Sequence, residues 1–244
     1  MKKLILVLTL VFFTFTLLTA DINIKTKNHT DAANIMGKQQ PAKDEIVEQW
    51  VGDGIYTNIT AKQSVIIDLK KKMMYMLLHN DKTYVETTLP LDMKKLLPEQ
   101  VVQMMGMMKV KISVTETAEK KTIKGWKCTG YDMEMNVMMM SIKSRLWVTQ
   151  DVPFDWKKFQ EQMGLETFKL AMAQMEMSED ALNEFKKIKG FQVASELTMN
   201  IMGQNVKSTT EVLEITKKPA PAGIYEVPAD YKKSSKLSMG QLRK

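Results

Sequence analysis

Residues 191–201, FQVASELTMNI, place Phe191, Val193, Leu197, Met199 and Ile201 on one side of an extended chain. Gln192, Glu196, Thr198 and Asn200 fall on the other. Successive side chains of a strand point to opposite faces, so this segment demands a sheet with one dry side and one wet side. NVKSTTEVLEI (205–215) returns in the same style, and its alternation slips at Val212-Leu213, which predicts a β-bulge. The same signal recurs along the chain. INIKT (22–26), SVIIDL (64–69), MMYMLLH (73–79), TYVETT (83–88) and KVKISVTET (109–117) read as strands, and Asn80-Asp81-Lys82 reads as a turn. WKCTGYDMEM and SIKSRLWVT form a hairpin around 136–140, and IYEV (224–227) reads as a last short strand.

Two helical blocks interrupt these strands. In the first, roughly 92–108, Pro98 starts a helical piece, because proline suits a first turn and harms an interior. In the second, roughly 155–189, Asp155 and Ser178 are placed to cap helices and Gly190 to end one. Antiparallel strands with one apolar face and helical insertions long enough to cover it define the expected fold. It is an α+β protein: a strongly curved antiparallel β-sheet, an open half-barrel, with helical insertions covering its concave face.

Met1-Lys2-Lys3, the uncharged run Leu4–Leu18 and Thr19-Ala20 have the layout of a secretory signal peptide, cut after Ala20. The expected organisation is therefore a signal peptide at 1–20, one curved-sheet domain at 21–231 and a basic disordered tail at 232–244. The protein is expected to be periplasmic or secreted. Its single cysteine, Cys128, permits no internal disulfide, so packing alone must hold the fold. The formal charge of +7 falls to +5 once Lys2 and Lys3 leave, and Lys232, Lys233, Lys236, Arg243 and Lys244 of the tail carry five positive charges without an acid. The body is thus close to neutral, which argues against a nucleic-acid partner. The tail offers loose contact with an anionic membrane surface.

Gly125-Trp126-Lys127-Cys128-Thr129-Gly130-Tyr131 is similar to the G-x-x-C-x-x-Y strand of a bacterial family of exported proteins of unknown function, domain of unknown function 4412. Residues 147–151, WVTQD, resemble its following strand, and residues 221–231, PAGIYEVPADY, resemble its closing element. Met36-Gly37 and Met202-Gly203 fit its hairpin tips. The resemblance implies no established activity. It implies a fold similar to the half-barrel of periplasmic outer-membrane lipoprotein carriers, whose concave face receives acyl chains.

The chain holds 22 methionines, five of them within 131–141. Three readings stand side by side. Methionine fills irregular cores; Met-rich surfaces repack around apolar ligands; thioether sulfur captures Cu(I). For an apolar pocket the lining candidates are Trp126, Tyr131, Met133, Met135, Met104, Met108, Met199 and Met202. Hairpins 34–39, 136–140 and 200–205 should project beyond the sheet, with at least two of their methionine groups near one opening. No catalytic motif and no cofactor fingerprint occurs, and Asp132 and Glu134 read as a wet strand face. The expected function is non-enzymatic binding of an apolar molecule, lipid or lipoprotein acyl chain. A methionine-rich Cu(I)-binding protein and a structural or protein-interaction module are the alternatives.

Overall fold

The computed structural model describes residues 20–35, 37–90, 96–105, 110–137, 140–161, 179–201 and 204–238. Residues 1–19, all but the last residue of the expected signal peptide at 1–20, lie outside them, as does 162–178 in the second helical block.

The chain is mostly strand, folded into a large curved sheet that does not close into a barrel. Its strands are β1 (Asp21–Thr30), β4 (Lys43–Gly52), β5 (Ile55–Ile59), β6 (Gln63–Asp68), β7 (Met73–Leu78), β8 (Thr83–Thr88), β9 (Val110–Ile123), β10 (Trp126–Val137), β11 (Met140–Thr149), β12 (Phe191–Ile201), β13 (Gln204–Lys218) and β14 (Lys232–Lys233). A separate hairpin, β2 (Ala33–Ile35) and β3 (Lys38–Gln40), stands between β1 and β4. The order across the sheet is β14-β8-β7-β6-β5-β4-β1-β13-β12-β11-β10-β9. Two meanders, β4–β8 and β9–β13, are thus sewn together by β1, which pairs with β4 on one side and β13 on the other. All pairings are antiparallel except β14 with β8.

The predicted bulge is present: between Lys25 and Thr26 the β13 register jumps from Glu214 to Val212, skipping Leu213. A second irregularity shapes β9 and β10. Lys124 (φ 48°) and Gly125 (φ 91°) make the two-residue turn between them, a conformation that suits glycine at the second position. Farther along, the register jumps at Gly130, and β10 changes its buried side. Cys128 and Gly130 are buried on one side, while Tyr131, Met135 and Val137 are buried on the other. A Cβ at Gly130 would meet Thr117 Oγ1 at 2.7 Å, so the close approach of the two strands there requires glycine.

Three described helices are short: α1 (Glu99–Met105), α2 (Trp156–Phe159) and α3 (Glu179–Phe185). The backbone N–H groups of Val101 and Val102 donate to Pro98 O, so α1 starts where the proline expects it. Asp155 caps α2, accepting from the N–H groups of Lys157 and Lys158, both at 3.1 Å. Among the described residues, helix is a smaller part than the two predicted blocks suggested. Leu96, Leu97, Val101 and Val102 pack on Val65, Ile67 and Met74. Phe185 and Ile188 pack on Val114, Tyr131, Leu146 and Val148. Register places both sets of sheet residues on the same side, which is the helix-bearing face.

Two expectations fail at the C-terminal end. IYEV (224–227) is not a strand: Ile224 N–H donates to Pro221 O and Glu226 N–H to Gly223 O, so the proline- and glycine-flanked run closes on itself in turns. The tail is not disordered from 232. Lys232–Lys233 pair with β8, Lys233 reaches Glu86, and Leu237 is buried beside Leu96 and Leu97. One leucine that finds a core outweighs the surrounding lysines. Residues 239–244 lie outside the described residues.

The closing segment before β14 crosses the reverse face. Tyr225 donates to Asp21 Oδ2 at 3.1 Å. Tyr231 then places its hydroxyl 2.7 Å from His79 Nδ1, and His79 Nε2 lies 2.9 Å from Ser64 Oγ. Both anchors are on the reverse face, so the short stretch between them spans the outer side of the β4–β8 meander. Trp50, Ile66 and Leu77 are buried on that side.

Candidate functional site

The β9–β13 meander turns a row of apolar side chains toward the helix-bearing face. Cα partners run Ile112–Met135–Ile142–Met199–Val206 across five strands. The next row inward runs Val114–Met133–Ser144–Leu197–Ser208. Met135, Val110 and Val137 are buried together, whereas Ile112, Met133, Ile142, Leu197 and Met199 are only half-buried. An apolar field that its own fold leaves partly uncovered is the feature most open to a ligand.

The field adjoins one rim of the sheet. β10 ends at Val137, paired with Met140 at the start of β11; β12 ends at Ile201, paired with Gln204 of β13. β1 ends at Thr30, beside Ser208 and Lys43. All these strand ends lie on the same rim, as the hairpin argument expects. Met36, Met138, Met139 and Met202 themselves lie outside the described residues.

Two small polar residues interrupt the field. Ser144 is 5% exposed and Ser195 is 8% exposed, and both fall on the same face as the apolar rows. Ser195 sits opposite Leu146 and Ser144 opposite Leu197, so the two are diagonal neighbours on β11 and β12. Toward β1 the polar track continues, with Thr210 Oγ1 donating to Asn28 Oδ1 at 3.0 Å and Ser208 Oγ donating to His29 O at 2.8 Å. Serine beside methionine and leucine leaves a depression with hydrogen-bonding walls in an otherwise oily surface. The alternation of SIKSRLWV already put Ser144 between Ile142 and Leu146; the polar inward residue was legible and carried no weight in the reading of the sequence.

Of the residues proposed to line a pocket, Tyr131, Met133, Met135 and Met199 share this face. Trp126 does not: it lies on the reverse side of β10, packed with Cys128 and Trp147. Met104 belongs to α1, and Met108 and Met202 lie outside the described residues. Tyr131 marks the inner end of the field. Its hydroxyl donates to Glu116 Oε2 at 3.1 Å, and burial pushes its phenol up, with the Glu116 carboxylate adding to the rise.

The titratable groups nearby are committed elsewhere. Asp132 accepts from Arg145 Nε at 2.6 Å, Glu119 accepts from Arg145 Nη1, and Glu134 pairs with Lys143 at 3.3 Å. Asp132 and Glu134 are an ion-paired wet face. Cys128 is buried, its Sγ donates to Trp126 O at 3.3 Å, and burial raises the thiol above its ordinary value, which makes it a poor nucleophile. Among the described residues no group of three or more His, Cys, Asp or Glu side chains could hold a metal ion. Among them too, no helix is long and apolar enough to cross a membrane.

A family model described as "Domain of unknown function (DUF4412)" matches residues 24–231. Two solved structures are similar to the chain. A domain from Vibrio parahaemolyticus, provisionally described as an outer membrane lipoprotein-sorting protein domain, is 7% identical, with 83% of this chain and 87% of that chain covered and a TM-score of 0.30. A DUF1329 family protein from Desulfovibrio piger ATCC 29098 is 9% identical, with 85% and 89% covered and a TM-score of 0.31. No curated protein matches the sequence.

Proposed function

The chain belongs to the DUF4412 family, whose match runs from β1 to the closing segment, and on that premise we propose that it is an exported, non-enzymatic binding protein for an acyl-chain ligand. The ligand lies along the half-buried field of Ile112, Met133, Ile142, Leu197 and Met199. The carrying observation is that five neighbouring apolar side chains of β9–β12 stay half-buried on the helix-bearing face. The hydroxyls of Ser144 and Ser195 add a place for an ester or amide group within the apolar row. Methionine suits such a surface because its flexible thioether adapts to chains of different shape.

Native mass spectrometry of protein purified from its own compartment tests this directly. It should detect a bound lipid released by organic extraction. The extracted protein should then bind a fluorescent fatty acid, and Leu197→Ser with Met199→Ser should weaken uptake at least about tenfold, since two apolar contacts of roughly 1 kcal/mol each are removed. Met133→Leu with Met199→Leu keeps the surface apolar and should leave uptake intact. Protein that carries no lipid and takes up none, yet binds Cu(I) and loses it in the leucine variant, sinks the proposal in favour of the copper reading.

A further inference from the structure

We propose that the reverse face carries a second binding site, for an anionic oxygen group, a carboxylate or a phosphate, received by the indole N–H of Trp147 and the ammonium of Lys121. Its two donors, Trp147 and Lys121, lie on the opposite face of the sheet from the acyl-chain row, although the 194–198 stretch of β12 lines the groove as well. A groove of about 580 Å3 lies over β11, β12 and β13, with the Lys121–Ile123 end of β9 standing along one side. Trp147 and its direct cross-strand neighbour Ala194 form the floor.

Trp147 is 6% exposed, and its Nε1 has no hydrogen-bond partner. A buried N–H without an acceptor destabilises a fold, so such groups are rare and point to a missing partner. Trp50 shows the ordinary arrangement: its Nε1 donates to Glu48 Oε1 at 3.0 Å. Thr122, Glu196 and Thr209 line the groove around Trp147, yet none accepts from it.

The charge around the indole is positive. Lys121 Nζ lies 5.1 Å from the ring centroid, and Arg145 Cζ lies 5.9 Å from it. Arg145 is bound to Asp132 and Glu119, and Lys124 pairs with Glu211 at 3.3 Å, which neutralises one of the groove's two acids. Among the described residues, neither Lys121 nor Lys207 makes an ion pair. An unpaired N–H donor beside an unpaired ammonium calls for an acceptor that carries negative charge. Lys121 rests over the ring, and with no carboxylate holding it, its flexible stem can turn its head to meet the anion. The groove exceeds the size of one oxyanion, so the rest of the ligand extends over Thr198 and Thr209 toward Lys207.

The test uses protein with 15N-labelled tryptophan, whose four tryptophans each have an indole N–H signal. Inorganic phosphate and butyrate are titrated separately against sodium chloride at matched ionic strength. The Trp147 signal, identified as the one missing in Trp147→Phe, should move downfield saturably with one of the two anions and stay still in chloride. Whichever anion saturates at the lower concentration names the ligand's group. Lys121→Gln should weaken binding at least tenfold, and Lys207→Gln should weaken it a few-fold. If Trp147→Phe does not fold, replacement of Trp50, Trp126 and Trp156 in turn assigns the signal by elimination. No saturable movement with either anion overturns the proposal, and so does an affinity unchanged in Lys121→Gln.

Discussion

The two meanders of the sheet solve the same problem differently. In β4–β8 the strands after β4 are short, and segments from elsewhere in the chain pack on both faces. Leu96, Leu97, α1 and Leu237 cover the helix-bearing side, and the segment tied at Tyr225 and Tyr231 crosses the reverse side. Ile67 and Met74 are fully buried there, and burial pushes the phenol of Tyr56 up to about 12 although Asn58 donates to its oxygen. In β9–β13 the strands are long, the inner row is only partly covered, and serines replace hydrophobes at Ser144 and Ser195. Hydrophobic burial scales with the area removed from water, so truncating a fully buried side chain of the first meander should cost more than truncating a half-buried one on the open row of the second. Stability and function are therefore expected to separate by strand.

The strongest break of that separation is a core truncation in the closed half. Ile67→Ala removes a side chain with 0% exposure and should cost about 2–5 kcal/mol by lost burial and the cavity left behind. Met199→Ala, on the half-buried row, should cost about 1 kcal/mol or less. Urea unfolding of both variants measures the contrast. Equal losses would show that the methionine row is ordinary core and that the two halves do not differ.

Gly130→Ala comes next, at about 1–3 kcal/mol, because the new methyl would press on Thr117 Oγ1, which itself donates to Gly130 O at 2.9 Å. The same substitution should disturb the Trp147 groove more than the acyl-chain row, since Gly130 is the cross-strand partner of Trp147. Thermal melts together with the Trp147 indole signal separate the two effects. Tyr225→Phe should be smaller, about 1 kcal/mol, for one lost hydrogen bond to Asp21. Its readout is hydrogen exchange, which should speed up in β4–β8 and leave β9–β13 unchanged.

Strand alternation was the most legible part of this chain. The 191–215 hairpin and its bulge at Leu213 follow from side-chain period alone, and the caps at Pro98 and Asp155 follow from backbone chemistry. Strands β4 and β5 were not legible as separate elements, because KDEIVEQWVG packs partly on both sides and shows no clean alternation. Leu237 could not be placed from its neighbours, because its core lies at Leu96, far away in sequence. The candidate site was half legible. Parity along DMEMNV put Met133 and Met135 together, and register then brought Met199 to the same row. Parity also separated Trp126 from Tyr131, yet only the register shift at Gly130 tells which side of β10 is covered on each half of the strand.

The smallest expected effect sits at the seam between the two meanders. On β1, His29 Nδ1 lies 2.6 Å from Asp44 Oδ1 of β4, His29 Nε2 lies 3.2 Å from Asp31 Oδ1, and Lys27 pairs with Asp44 at 3.1 Å. The hydrogen bond to Asp44 raises the imidazole above its usual 6.5, and the Asp44 carboxylate is lowered from its usual 3.8, first by His29 and then by Lys27. A raised histidine stabilises the fold fully below 6.5 and loses that contribution as pH rises through its folded value. A lowered carboxylate contributes fully above 3.8 and loses that contribution as pH falls through its folded value. The seam should therefore be tightest between those two limits. Both groups are exposed, so salt screens the effect and the melting temperature should shift by only a small amount. His29→Gln should flatten the decline in melting temperature between about pH 6 and 8 at low salt, and should change little at high salt. If the wild-type and His29→Gln curves run parallel through that window, the ion pair across the seam contributes nothing, and the two meanders are joined by the β1 backbone ladder and its packing alone.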